Sequence, residues 1–449
     1  MVKPAHTHPD GDYGYTTPLT TYPSPPPTPS FRNILDSVRH GRLPPRQFDH
    51  IVNRSRLNRL NPNCPYVYNC AGLRSLSDSS WEYLDVSPNG TCLAAGSTTI
   101  SNTNNLTNVE SYSIKYNSDL SDLELKSRFD RTQELDRGQR LCIGNNVLGL
   151  EMAAIDNSHI NPDSKVVDMA RASFDTDVTC VLSVLLHSRS ARMSTVSIKP
   201  MVGFAKSVLE TENIIGLPLY TKSWQLKAPG WSGAFDSRNL RVSVGQDRRS
   251  VIFDVLTDHQ WSFDSHDHTV ISQAFSHDGN LLFSGREQDF ATMHDLRVNR
   301  SPVKTFESAD TVQYNCSSFS AGFISHLKSS PNYVITENYA GNLLKWDLRA
   351  SKPILSYEGH KNQDKRVPVH IDSEEKYVFA VDRWGATRAW TIDDGTLLCE
   401  IPSPTTENMH FPRVVYADNW GGVNGNSGLM LAIDGKFFFY DLLHSYLSR

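Results

Sequence analysis

Two stretches of this chain follow one plan. Residues 274–297 read AFSHDGNLLFSGREQDFATMHDLR, and residues 326–349 read HLKSSPNYVITENYAGNLLKWDLR. Each runs from an apolar strand through a turn to a second apolar strand. A polar turn and an alternating strand follow, closing on Asp-Leu-Arg. Asp295 and Asp347 lie 52 residues apart, with loop-like sequence around Pro302 to Asp310 in between. A repeat of about 40–45 residues that ends in Trp-Asp, lengthened by a loop, is the mark of a β-propeller blade.

The alternation of the closing strand assigns its two faces. In LLKWDLR, Leu344, Trp346 and Leu348 share one side, and Lys345, Asp347 and Arg349 share the other. The apolar set is expected to pack between blades and the polar set to end in a guanidinium at the rim. In FATMHDLR, Phe290, Thr292, His294 and Leu296 are expected to point inward while Asp295 and Arg297 form the second side, so His294 stands where the repeat has Trp. Two successive rims thus present an Asp/Arg pair. Taken alone, each pair reads equally well as an ion pair internal to its blade.

At 449 residues the chain has the length of one seven-bladed propeller plus a tail. A formal charge of -5 gives no global field for nucleic acid or anionic lipid. No apolar run reaches the ~20 residues of a membrane span, and residues 1–30 lack a signal-peptide core. The seven cysteines are scattered, which suits reduced thiols in a nuclear and cytoplasmic protein.

Residues 1–30 contain eight prolines and are expected to be disordered. In 31–60 the character changes. Phe31, Ile34, Leu35 and Val38 recur at helical spacing behind Ser30, and Gly41 with Pro44 and Pro45 stops that helix. Phe48, Ile51 and Val52 begin a second apolar stripe, continued by Leu57 and Leu60. Seven arginines accompany two aspartates in this stretch. The expectation is a helix-loop-helix that cannot stand by itself. It either caps the propeller, lays its apolar face in a partner's groove, or meets nucleic acid through Arg54, Arg56 and Arg59. The missing aromatic residues disfavour the last.

Residues 61–80 read as a linker and 81–449 as the propeller. Blade one starts at Trp81, and 118–138 is a charged loop. Blade two is placed within Leu141–Met201, blade three from about Ser223 to Leu256, blade four over Thr269–Arg297 and blade five over about Gly322–Arg349. Gly359-His360 opens blade six, which closes at Ala389-Trp390-Thr391, and blade seven covers about Pro412–Leu443. The fold class is all-β, a seven-bladed WD-repeat propeller, with N-terminal and C-terminal strands paired to close the ring.

Catalytic patterns are missing. There is no phosphate loop, no Gly-x-Ser-x-Gly and no cluster with metal-ligand spacing. His370 and Asp372 share a strand face and read as a structural pair, while Asp247 and Asp382 stand in tight turns where they should hydrogen-bond across the blade. Neither an enzyme nor a cofactor is expected.

The stretches NYAGNLLKWDLR, YEGHKNQ, RVPVHIDSEEKYVFAVDRWGATRAW and GLMLAIDGKFFFYDLL resemble the WD-repeat cullin-4-associated factor 4 family, also called WD repeat-containing protein 21. The likeness covers about residues 220–445. It implies a substrate receptor of cullin-4 RING ubiquitin ligases that docks on the adaptor, damage-specific DNA-binding protein 1. The family's docking mark, Trp-Asp-x-Arg, falls on Trp346, Asp347 and Arg349, and, lacking the Trp, on Asp295 and Arg297. The likeness also implies a helical anchor in the adaptor's cleft, for which Phe31, Ile34, Leu35, Val38, Phe48 and Ile51 are the candidate contacts. The competing reading is a WD-repeat scaffold of a chromatin or RNA-processing complex.

Overall fold

Short apolar segments broken every few residues by tight turns leave this chain one efficient way to bury its strands. They meander into small antiparallel sheets, and the sheets stack face to face. The computed structural model describes residues 45–69 except Cys64, and 79–442 except 116–139, 201–221, 307–319 and shorter stretches. Seven blades are present among the described residues. Blade one comprises Ser79–Val86, Cys92–Ile100, Asn105–Lys115 and Leu148–Ala153, with Arg140–Ile143 added outside. Blade two is Ser164–Ser173, Thr179–His187, Ser194–Pro200 and Lys222–Leu226.

Blades three and four form one continuous sheet of Gly230–Asp236, Arg241–Asp254, Gln260–Phe275, Leu281–Arg286, Ala291–Asp295 and Lys304–Phe306. The strand Gln260–Phe275 belongs to both blades: Gln260 to Asp264 pair backward with Arg249 to Phe253, and Val270 to Phe275 pair forward with Leu282 to Arg286. Blade five is Ala321–His326, Tyr333–Asn338, Leu343–Asp347 and Pro353–Ser356, and blade six is Val369–Ile371, Tyr377–Val381, Thr387–Thr391 and Leu397–Ile401. Blade seven takes Arg413–Trp420, Asn426–Ile433 and Lys436–Asp441 from the end of the chain and its outer strand, Tyr66–Asn69, from near the start.

The expected ring closure is therefore present, with Tyr66 opposite Phe439 and Asn69 opposite Lys436. It draws on the 61–80 stretch assigned to a linker, because the alternating Tyr-Val-Tyr-Asn is long enough to complete an exposed edge. The blade boundaries also shift. Arg140–Ile143 and Leu148–Ala153 belong to blade one rather than blade two, and Lys222–Leu226 closes blade two rather than opening blade three. The masking factor in the sequence was composition: these segments carry no Trp-Asp to mark where a blade ends.

Apolar side chains from adjacent blades interlock around the ring. Trp81, Leu84 and Leu93 of blade one pack with Val415, Trp420 and Phe439 of blade seven. Val184 and Val196 meet Val244 and Phe253 across blades two and three, and Ile252 and Phe263 meet Leu282 across three and four. Phe283 and Phe306 meet Val334 and Trp346 across four and five, and Ile335 and Leu343 meet Val378 and Trp390 across five and six. Both faces of an interior strand are thereby apolar contacts, which corrects one expectation. Lys345, assigned to a polar face, is buried with its ammonium 3.2 Å from the Ile392 carbonyl and over the Tyr333 ring.

One backbone device repeats at the end of the third strand. The residue after it donates its N–H to the turn before the second strand or to that strand's first residues: Val255 to the Leu240 carbonyl, Leu296 to Asn280, Leu348 to Asn332, Ile392 to Lys376 and Leu442 to Ser427, all at 2.7–3.1 Å. Blades three to seven each thus lock two successive turns at one end.

By contacts, Met1–Ile51 and Val52–Arg449 are two units. A helix, α1, spans Pro45–Leu57, with Pro at its first position and Arg54 and Arg56 in its last turn, both favourable placements. Within the larger unit, Leu57 is fully buried and Leu60 nearly so, packed among Tyr377, Tyr416, Phe438 and Tyr440 of blades six and seven. Asn53 donates to Asp418 at 2.9 Å and accepts from Ser427 at 2.9 Å. From Val52 onward the second stripe is therefore a cap on the propeller, and Leu57 and Leu60 are not surfaces for a partner. Leu57→Ala is expected to lower stability by about 2–5 kcal/mol, read as a lower denaturant midpoint at unchanged m-value.

Candidate functional site

The turns after the third strands carry the most distinctive surface chemistry. In blade four, Asp295 ends the strand, and its Oδ1 accepts the Arg297 backbone N–H at 3.0 Å, an Asx-turn. That turn brings the Arg297 side chain back onto the same carboxylate. Nε lies 3.0 Å from Oδ1 and Nη2 2.7 Å from Oδ2. Blade five repeats it: Arg349 N–H and Nε each reach Asp347 Oδ1 at 2.9 Å, and Nη2 reaches Oδ2 at 2.7 Å. Local sequence alone builds these clips, since Asp-x-Arg supplies the acceptor, the turn and the fork.

The clips face water. The Arg297 and Arg349 side chains are 63% and 67% exposed, whereas their aspartates are 14% exposed. A guanidinium has five N–H donors, and each carboxylate takes two of them here. The others on Arg297, and those on Arg349 that Tyr333 does not meet, are held in a fixed plane for carbonyl or carboxylate acceptors. The guanidinium hydrogen bonds hold Asp295 and Asp347 well below the usual carboxylate range, at about 2.

Lys304 ties the two clips together. It sits on the outer strand of blade four and donates to the Leu348 and Ala350 carbonyls of blade five at 2.7 and 2.5 Å. The Arg349 turn is thus fixed by the blade that carries Arg297. Lys222 does the same one step earlier, donating from blade two to the Val255 carbonyl of blade three.

The neighbouring blades end differently. Blade three has the same turn, with Asp254 accepting from Leu256 and Thr257 N–H, but Leu256 replaces the arginine and is 59% exposed. Blade six has Thr391 in place of the aspartate and the exposed Asp393 in place of the arginine. Val298 and Val303 beside the blade-four clip are 73% and 61% exposed. This gives two presented arginines flanked by Leu256, Val298 and Val303, an apolar-and-guanidinium mixture suited to a protein contact. Sequence reasoning passed over these three apolar residues because single apolar residues in turns carry no periodic signal.

Trp346, grouped by sequence with the docking residues, is fully buried and donates its indole N–H to Thr336 at 2.8 Å. It touches no solvent and acts by packing on Phe306, 5.6 Å away. His294 fills the equivalent place in blade four, tilted on Phe263 at 5.5 Å, and the clip geometry is unchanged. The clip therefore does not need the tryptophan. Phe31, Ile34, Leu35 and Val38 lie outside the described residues, as does the side chain of Phe48, and Ile51 is half-buried.

His370 and Asp372 serve separate structural ends. His370 meets the Tyr416 carbonyl, and Asp372 accepts the backbone N–H groups of Glu374, Lys376 and Tyr377. Asp382 organises its own turn and binds Arg388 at 2.7 Å, and Asp247 accepts from the Trp231 indole at 2.7 Å. Among the described residues no group of three or more His, Cys, Asp or Glu is arranged to hold a metal.

The sequence profile described as DDB1- and CUL4-associated factor 4 beta-propeller domain matches residues 142–442. This chain belongs to the DCAF4 family. Curated relatives include DDB1- and CUL4-associated factor 4 of Bos taurus, 32% identical over 46% of this chain and 42% of that protein, and of Homo sapiens, 30% identical over 48% and 43%. The aligned part is thus less than half the length of those DCAF4 proteins. An uncharacterized WD repeat-containing protein of Caenorhabditis elegans is 28% identical over 91% of this chain and 77% of its own length. A chain of the mitotic checkpoint complex superposes over 85% of this chain and 95% of its own, with a TM-score of 0.51 and 14% identity, a likeness of fold alone. Both arginine clips fall inside the DCAF4 match.

The clip carboxylates should titrate far below ordinary aspartates. Their folded pKa of about 2 lies under the 3.8 of an ordinary aspartate. The clips therefore favour the folded state above pH 3.8, and that contribution is lost as pH falls through about 2. Carboxyl-detected NMR titration should place Asp295 and Asp347 near 2, and Arg297→Ala should return Asp295 toward its ordinary value.

Proposed function

We propose that this chain is a non-catalytic substrate receptor of a cullin-4 RING ubiquitin ligase, docked on the adaptor DDB1 through its two Asp-x-Arg clips. The observation that carries the reading is the pair itself. Successive blades of a DCAF4 propeller present exposed guanidiniums held by the same pair of hydrogen bonds, with further donors unused, and cross-braced by Lys304. Pre-organised donors lose little side-chain entropy on binding. The exposed Leu256, Val298 and Val303 supply apolar area beside them.

Phe31, Ile34, Leu35, Val38, Phe48 and Ile51 are assigned to the helical anchor of the same contact. Rim charges set orientation and on-rate, while buried anchors supply most of the affinity. The receptor makes and breaks no bond. It raises the local concentration of a bound substrate's lysines near the charged ubiquitin carrier.

The test is co-purification with DDB1. Arg297→Ala with Arg349→Ala should weaken binding by about tenfold or more, and deletion of 31–51 should weaken it further. Thermal stability should fall only modestly, because both guanidiniums are exposed and solvent screens the loss of each clip. Wild-type chain that never recovers DDB1, or a double variant that binds as wild type does, overturns the reading.

A further inference from the structure

The opposite end of blade six carries a second, chemically different surface. Strands alternate in direction within a blade, so the turn between the second and third strands lies at the far end from the clip turns. In blade six that turn is Asp382 to Gly385, closed by the Gly385 N–H on the Asp382 carbonyl at 3.0 Å, with Gly385 at φ +82°, which suits glycine. It lifts Trp384 into solvent, 46% exposed, although its neighbours Asp382 and Gly385 are buried.

Cations surround that indole. The Arg383 guanidinium lies 4.1 Å from the ring centroid and the Lys361 ammonium 5.6 Å. Lys365 lies 5.1 Å from the ring of Phe411. Among the described residues, none of these three cations has an ion-pair partner: Arg383 bonds only the neutral Gln363 amide, at 2.5 Å. The nearest turn carboxylate, Asp382, is buried and taken by Arg388. Over 361–366 and 383 the sequence holds Lys361, Lys365, Arg366 and Arg383 against Asp364. The contrast with the clips is chemical. Arg297 and Arg349 are neutralised by their own aspartates, whereas among the described residues Lys361, Lys365 and Arg383 are paired with no carboxylate.

The surface is also pre-built. The Arg383 N–H donates to the Lys361 carbonyl at 2.9 Å, joining turn to loop. Asn362 donates to the buried Glu337 carboxylate at 2.7 Å and to the Lys365 carbonyl at 2.6 Å, which folds the loop bearing both lysines. The cation–π contacts on this exposed indole are each weak and leave the positive charge in place. The arrangement suits an anionic ligand with an apolar group.

We propose that Trp384, Arg383, Lys361 and Lys365 form a docking surface for an acidic protein segment, its carboxylates on the cations and an apolar side chain against the Trp384 and Phe411 rings. Nucleic acid fits less well. One indole face is already covered by Arg383, leaving poor room for a stacked base, and the whole chain carries a charge of -5. The assignment names the ligand chemistry of the face away from the clips and deepens the receptor reading, but the binding itself does not depend on DDB1.

Fluorescence anisotropy with the full chain and a labelled decapeptide of eight Glu and two Leu tests it. Saturable binding that weakens about tenfold or more from 50 to 300 mM salt is expected, with no binding of the matched Lys peptide. Trp384→Ala, and separately Lys361→Glu with Lys365→Glu, should each weaken it at least tenfold with unchanged melting temperature. Arg297→Ala with Arg349→Ala should leave it intact. No saturable binding, variants that bind as wild type does, or tighter binding of a labelled single-stranded oligonucleotide than of the acidic peptide would overturn the proposal. Peptide binding without DDB1 recovery removes the receptor reading alone, and DDB1 recovery without peptide binding removes this one alone.

Discussion

Four residues complete the ring. Tyr66–Asn69 lie beside Lys436–Asp441 and add the outer strand of blade seven, covering the backbone edge that Lys436–Asp441 would otherwise expose. An unpaired edge invites wrong partners, and every interface further round relies on the ring staying closed. Each blade buries its faces only against its neighbours, so an opening between blades one and seven would bare Trp81, Trp420 and Phe439 together. The cap residues Asn53, Leu57 and Leu60 sit on the same closing blade and its neighbour, so the closure is fastened by packing as well as by backbone pairing.

That rigid ring lets its two rims carry different electrostatics. On one, charge is balanced within the tripeptide Asp-x-Arg, so the arginines present geometry more than net charge. On the other, blade six gathers cations around an indole, and among the described residues no carboxylate pairs them. A propeller used to hold two bodies at once gains from this division, since ligands of one rim have little attraction to the other.

The architecture was legible because the repeat has a phase. Asp295 and Asp347 mark the ends of third strands, and the alternation around Trp346 places it inside, where it is fully buried. The first blades were harder to read because segments such as Leu148–Ala153 and Lys222–Leu226 lack that mark and are assigned to a sheet only by their partners. Lys345 misled for another reason: period-two patterning tells sides apart, but not whether a side meets water, and a long stem lets an ammonium end on a carbonyl in the interior. The site was half visible. Asp-x-Arg is local, so both clips follow from sequence, whereas the bracing by Lys304 and the joining of Trp384 to Lys361 arise from contacts between turns distant along the chain.

The distance along the chain between Tyr66 and Phe439, 373 residues, also sets a clock. Ribosomes add about 5–20 residues per second, so the early strand emerges roughly 20 to 75 s before its mate exists. Throughout that delay the nascent protein carries a sticky ribbon, and blade one has no neighbour on its outer flank. Biogenesis of this propeller is therefore a waiting problem, and a holding chaperone at the ribosome exit would have its task defined by the last segment to arrive.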